Sequence, residues 1–433
     1  MKKNRLQVGI DFSMKKADFC LLHPDGEPLE RHRSFSNTVS GYSKARRFLL
    51  EAIQEHSYEG IDISGEATNY YWFPFFRMLA QDHELTDEIL DIYLLNPRWV
   101  KWFKKSLPQD NKTDADDPYY IAERTRQKHP SYTWELQEEW MVLRFYTRLR
   151  FRLANLLGSE KNYFQTFLFL RSSAYKSSKC FSDVFGATSR QILTEKPVLE
   201  ELDTLSTEDL TAHLHELSGH HLENPQNNAQ KLKKALRESF PLGETLTPPV
   251  QRILDLTLEN IQFIENQIAQ VNELIEIEVR THHPEVLALA TIPGVGSVFS
   301  AGIAAEIGGL QRYFDPPKYD KKRNRYRSRN LRDVEDAVAK MAGLWWPRSS
   351  SGGFESEDRH MVKSSNHYLR YYLIQAANVM RRHIPEYSRY YARKYRESSK
   401  HKHKRALVLT TRKSVGLIVG LLHRNEAYRP KET

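Results

Sequence analysis

Short strand-like apolar segments are interleaved with helix-like ones over the first hundred residues, and a long helical region follows beyond Trp134. Leu6 to Ser13 reads as a short apolar strand carrying Asp11 near its end, and Ala17 to Leu22 as a second strand before a His-Pro-Asp-Gly turn at His23 to Gly26. A third strand is predicted near Glu30 to Phe35, then a helix over Ser43 to Glu55 and a strand at Ile61 to Ser64 that ends in Gly65-Glu66-Ala67-Thr68. An aromatic-rich helix over Asn69 to Gln81, a strand over Ile89 to Leu95 and the segment Pro97 to Lys105 follow. Asn111 to Glu123 then reads as the start of a helix with Thr113 or Asp114 as N-cap.

Three strands, helix, strand, helix, strand, helix is the element order of an RNase H-like fold, in which the first strand is central and the fourth lies beside it. In that arrangement Asp11, Glu66, Asp114 and Asp117 converge on one edge of the sheet. Asp114 and Asp117, three apart, share a helix face, whereas Asp116 lies on another. Carboxylates so gathered suit one or two Mg²⁺ ions, hard cations that prefer oxygen ligands and hold phosphate oxygens for displacement. Singly, each acid has a plainer reading: a strand-end turn former at Asp11, a loop carboxylate at Glu66, and an acidic first helical turn at Asp114 and Asp117.

Beyond this region, Trp134 to Leu170 predicts a long helix whose arginines (Arg144, Arg148, Arg150, Arg152) snorkel over a core face. Tyr175 to Pro249 shows little periodicity and reads as a variable, partly loop-rich insert, with Lys231-Leu232-Lys233-Lys234 as a solvated helix face. After Pro248-Pro249 a heptad pattern of Val250, Leu254, Ile261, Ile264, Ile268, Val271 and Ile275 predicts a coiled-coil seam, with dimerisation favoured over packing inside the chain. Ile292-Pro293-Gly294-Val295-Gly296-Ser297 resembles a helix–hairpin–helix whose amides face a phosphate, or a simple capping turn. Lys318 to Arg332 includes Lys321, Lys322, Arg323, Arg325, Arg327 and Arg329 with Tyr319 and Tyr326 interleaved, which suits a phosphate backbone and stacked bases; a basic loop is the competing reading. Read alone, Ser349-Ser350-Ser351-Gly352-Gly353 is a flexible linker.

Charge sharpens the picture. The 433 residues carry a net charge of +9, but Thr291 to Thr433 holds 29 Lys+Arg against 13 Asp+Glu, a net of +16, so the preceding part sums to −7. A basic C-terminal part points to a polyanionic partner, with nucleic acid foremost. The share of charged residues, 27%, fits a globular chain. Two cysteines, Cys20 and Cys180, exclude a disulfide framework or thiolate cluster. No apolar run reads as long enough to span a bilayer and the Met-Lys-Lys-Asn-Arg start leads into a strand, so a cytoplasmic protein is expected.

Val8-Gly9-Ile10-Asp11, Gly65-Glu66-Ala67-Thr68-Asn69-Tyr70-Tyr71 and Asn96-Pro97-Arg98 with Lys112-Thr113-Asp114-Ala115-Asp116-Asp117 resemble the DEDD transposases of the insertion sequence 110 family. Near the other end, Gly343-Leu344 running into Ser351-Gly352 and Asn366-His367-Tyr368-Leu369-Arg370 resemble that family's transposase domain. The resemblance covers roughly residues 5–126 and 288–425. It implies a RuvC-like domain over residues 1–130, a helical and coiled-coil region over 131–287, and a mainly helical transposase domain over 288–433. It implies Asp11, Glu66, Asp114 and Asp117 as Mg²⁺ ligands and Ser351 as the nucleophile, with Ser350 the alternative. Trp345-Trp346 adds a residue before Pro347, and Glu355, Glu357 and Asp358 replace a usual basic run. The activity implied is cutting and rejoining of donor and target DNA through a phosphoserine link, directed by a guide noncoding RNA, in a homodimer or higher oligomer. Gly294, Gly296 and Arg370 join the basic residues as expected nucleic-acid contacts. The alternatives are a metal-only RuvC-like nuclease on branched DNA and a non-catalytic nucleic-acid scaffold.

Overall fold

The computed structural model describes residues 4–86, 90–106, 116–127, 133–194, 199–315, 317–320, 324–347, 350–351, 354–355, 361–362 and 365–430. The chain divides into two compact units, one of residues 1–141, 291–295 and 306–433, the other of residues 142–290 and 296–305.

The first unit opens with strands β1 (Arg5–Phe12), β2 (Lys16–Leu22) and β3 (Pro28–Ser36), helix α1 (Val39–Glu55), strand β4 (Gly60–Glu66), helices α2 (Phe73–Ala80) and α3 (His83–Thr86), strand β5 (Leu90–Leu95), and helices α4 (Pro97–Ser106) and α5 (Asp117–Gln127). The strands form one sheet in the order β3-β2-β1-β4-β5. β1 pairs antiparallel with β2 and parallel with β4. This mixed five-stranded sheet, with the first strand central, is consistent with an RNase H-like domain. Leu6, Val8 and Ile10, alternate residues on one face of β1, are fully buried in the core, while Gly9 lies on the other face.

Thr38 caps α1 by accepting from the Gly41 amide, and Tyr42, Ala45, Leu49 and Ala52 fall at helical spacing against the sheet. They join Phe19, Ile61, Ile63, Phe75 and Phe76 in the main core. α5 crosses the opposite face. A Cβ at Gly9 would lie 2.0 Å from the Pro118 carbonyl oxygen and 2.5 Å from the Ala122 amide nitrogen, so glycine is what lets helix backbone meet strand backbone. At the N-terminal ends of β1 and β4 the buried Arg5 donates to Asp62 Oδ1 (2.8 Å) and Asp91 Oδ2 (2.6 Å), and Gln7 donates to Asp62 Oδ2 (2.7 Å).

The second unit rests on α6 (Glu138–Arg171) and α11 (Thr247–His282). Arg150 donates to Asn272, Lys161 pairs with Glu265 and Arg171 donates to Gln251, so the two helices run antiparallel. Between them lie α7 (Ala187–Thr194), α8 (Leu199–Thr204), α9 (Thr207–Leu217) and α10 (Pro225–Glu238). The insert expected to be partly loop-rich thus carries four helices among its described residues, with loops between them. Its helices are short and share one core, so each carries too few apolar positions to show a period alone; Ile192, Leu202, Leu210, Leu214 and Leu232 meet Phe164, Leu254 and Ile261. The run at Lys231 to Lys234 is only partly a solvated face, because Lys233 is buried and donates to the Leu205 carbonyl. Of the heptad residues, Val250, Leu254, Ile261, Val271 and Ile275 are buried within the chain itself, while Ile264 and Ile268 are only partly buried. Of the arginines expected to snorkel, Arg144 instead turns its guanidinium inward, donating to the Ala305 carbonyl.

The chain continues through α12 (Leu287–Ala290) and α13 (Ser297–Ile307), then returns to the first unit with the ribbon β6 (Lys318–Asp320) and β7 (Arg325–Arg327), α14 (Leu331–Met341), the short strands β8 (Ser350–Ser351) and β9 (Phe354–Glu355), and α15 (His367–His383), α16 (Pro385–Glu397) and α17 (Lys402–Arg424). One expectation needs correction: α17 is long and apolar enough to cross a membrane by length and composition. Its apolar face has another use. Ala406, Val415, Ile418 and Val419 are buried inside the protein, as a core helix requires.

Candidate active site

The parallel pairing of β1 and β4 runs through Ile10 opposite Gly65, so the next residues, Asp11 and Glu66, leave adjacent strands side by side. Gly65 keeps this strand end narrow: a Cβ there would meet the rings of Phe12 and Phe76 at 3.0 Å. α5, seated on Gly9, brings Asp117 to the same end as its first residue. Asp11 is only partly buried, as are Glu66 and Asp117.

Three carboxylates at one place raise the cost of ionising any of them. Burial pushes Glu66 up to about 7; Lys104 pulls against it, and the charges of Asp11 and Asp117 each add a smaller upward push. Lys104, on α4, places Nζ 2.6 Å from Asp117 Oδ1. An ammonium thus stands among the acids, and the all-oxygen donor set fits a hard divalent cation in that role. Among the described residues no group of three or more His, Cys, Asp or Glu side chains closes tightly enough to hold a metal ion. Asp114, the fourth expected acid, lies outside the described residues. Asp116 faces elsewhere, pairing with Arg31 Nη2 at 3.0 Å.

Lys104 went unnoticed in the sequence, although Arg98, Lys101, Lys104 and Lys105 form a basic helical face just ahead of the acids. Arg98 also reaches the C-terminal part of the unit. Burial, and then the like charge of Arg98, lower the pKa of Arg370, which lies in the first turn of α15. That turn is capped by Asn366, whose side chain accepts from the amides of Tyr368 and Leu369 and donates to Glu306 (2.7 Å).

The other expected residues are dispersed. Ser350 and Ser351 form β8, with Ser351 opposite Phe354, and their side chains are outside the described atoms. Lys321, Lys322 and Arg323 also lie outside the described residues. Arg325 is exposed on β7, and Arg329 follows it partly buried. Arg327 is drawn inward, donating to Asp333 at 2.6 and 3.1 Å. Gly294 has φ +78°, and a Cβ on it would lie 2.2 Å from Val379 Cγ1, so close packing on α15 already demands glycine there. Gly296 has open space around it, at the start of α13, where Ser297 donates to Glu276 (3.0 Å).

Comparison with known proteins bears on both ends of the chain. Residues 8–170 match a family model described as a transposase, of the DEDD IS110 class. Residues 329–392 match the model of the transposase IS116/IS110/IS902 family. No curated protein matches the chain. The first match takes in Asp11, Glu66 and Asp117, and the second takes in Ser351 and Arg370. Found in this order on one chain, the two matches support an IS110-family transposase.

Proposed function

We propose that this transposase cuts and rejoins DNA through a covalent phosphoserine link at Ser351, with Asp11, Glu66, Asp114 and Asp117 as the acids that would hold Mg²⁺. The observation that carries this reading is the carboxylate cluster at the ends of β1, β4 and α5, with Glu66 pushed up to about 7 and an ammonium at Asp117. Such a cluster destabilises the sheet edge unless a cation meets it, which makes a binding role the better account.

In this reading the Ser351 hydroxyl attacks the DNA phosphorus and gives up its proton. The new Oγ–P bond forms as the bond to the leaving sugar oxygen breaks, and that oxygen takes a proton. The phosphodiester energy stays in the protein–DNA link, so the reverse attack by another strand's hydroxyl rejoins DNA without ATP. Bound Mg²⁺ would polarise the phosphate and offset its charge. Asp11 and Glu66 are held by strand pairing, and Asp117 by the seat of α5 on Gly9, so the acids are positioned before substrate arrives. Lys104 keeps a positive charge beside Asp117.

The basic C-terminal part and the family resemblance support two extensions: a guide noncoding RNA supplies sequence recognition, and the working unit is a homo-oligomer. The test is a denaturing gel of protein with element-end DNA, its flanking transcript and Mg²⁺. A DNA-shifted protein band in wild type, absent in Ser351→Ala and Asp11→Ala, is the expected result. Cleaved DNA without a shifted band in any lane would instead select a metal-only nuclease. Recovery of the band on mixing the two single variants is expected if acids and serine act across subunits.

A further inference from the structure

We propose that the β6–β7 ribbon presents Tyr319 and Tyr326 as a stacking platform for unpaired bases of a DNA strand. The two residues are direct cross-strand partners. Their ring centroids are 5.2 Å apart at an interplanar angle of 63°, and they are 44% and 70% exposed. An isolated two-stranded ribbon is marginal in water. This one is fastened at its base, because Asp333 accepts from Lys318 Nζ (2.6 Å) at one strand and from Arg327 Nη1 (2.6 Å) at the other. Asp333 is fixed in turn: its carboxylate accepts from the Asn330 amide and its own amide donates to the Asn330 side chain, a reciprocal cap at the start of α14.

The ribbon is thus a stiff mount holding two aromatic rings out to solvent. Roles divide along it. Lys318 and Arg327 are engaged by Asp333, while Arg325 is exposed beside Tyr326. Between Lys318 and Arg332 the sequence carries eight Lys and Arg against one acid, Asp320, so the partner is a polyanion, and exposed rings within such a field suit bases attached to a phosphate backbone. The choice of DNA rests on the transposase reading; the platform itself rests on the ribbon's geometry.

The test uses the full-length chain and fluorescence anisotropy, with labelled oligothymidylate and an abasic strand of equal length and charge. Wild type is expected to bind the strand with bases about tenfold or more tightly than the abasic strand, the scale of one or two stacking contacts. Tyr326→Ala, and more so the double alanine variant, should remove most of that preference, and Tyr326→Phe should keep it. Arg325→Gln should weaken both strands alike and reduce the salt slope by about 0.7. A base preference unchanged in the double variant overturns the proposal. So does a preference that Tyr326→Ala abolishes only for oligouridylate, or a loss of self-association with DNA binding intact. No cleavage is involved, so failure here leaves the covalent band of wild-type protein standing, and failure of that band leaves this binding result standing.

Discussion

Replacing Glu66 with glutamine should make the free protein more stable at neutral and alkaline pH, although it removes a candidate catalytic group. Glu66 has an ordinary value of 4.5 and stands at about 7 in the fold, pushed there chiefly by burial against the pull of Lys104, with smaller pushes from Asp11 and Asp117. Between those two values the folded protein retains a proton that the unfolded chain has released. Its stability is therefore fully present below pH 4.5 and declines as pH rises to 7. The full shift corresponds to a ceiling of about 3 kcal/mol. Solvent screening at a partly exposed carboxylate cuts this to roughly 1–2 kcal/mol. Urea unfolding of wild type and Glu66→Gln at pH 5 and pH 8, followed by Trp fluorescence of the sheet unit, measures the difference. Wild type should lose about 1–2 kcal/mol relative to the variant across that interval, and Mg²⁺ at pH 8 should restore wild type more than the variant. Parallel pH profiles for the two proteins would refute the electrostatic account of the cluster.

Gly9→Ala should cost about 1–3 kcal/mol and abolish cleavage together, since a Cβ forces α5 and Asp117 off the sheet; denaturation and a DNA-cutting assay check both. Arg5→Met should destabilise the sheet by about 3–5 kcal/mol by taking the Arg5 cation away from the buried Asp62 carboxylate, read as a lowered urea midpoint. Asp333→Asn should lower stability by about 1–3 kcal/mol and speed proteolysis within the β6–β7 ribbon, as Lys318 and Arg327 lose their anchor. Arg327 first, and then Lys318, hold the Asp333 carboxyl well below the usual range, a lowered value that gives stability above the ordinary carboxylate range and loses it only in strong acid. The gap between wild type and this variant should therefore persist at mildly acidic pH.

The sheet was legible because each strand carries its own alternating signal and its turns are short. Asp11 and Glu66 were legible for the same reason: a strand end is a local feature, and pairing turns two local features into one site. Asp116 was set apart from Asp114 by helical spacing alone, and its pairing with Arg31 turns it away from Asp117. What stayed hidden depends on contacts remote in sequence. The apolar positions Val250, Leu254 and Ile261 look alike whether they meet another chain or, as here, the core of their own unit. Gly294 reads as a phosphate turn until Val379 is seen against it. Arg327 looks like its neighbours in a basic run until Asp333 singles it out. Lys104 needed the fold itself, because nothing local reveals which carboxylate its ammonium meets.

The antiparallel run of α6 against α11 has a consequence for synthesis on the ribosome. The sheet emerges first, but residues 306–433 of the same unit follow only after the whole second unit has been made. As an unstructured coil, that intervening stretch would leave the two parts of the unit to find each other through a large entropic search. The contacts of Arg150 with Asn272 and Arg171 with Gln251 fold the stretch back on itself, so its exit comes to lie near its entry. A nascent chain that completes this hairpin has already shortened the search, and changes to the hairpin should slow maturation of a sheet they never touch.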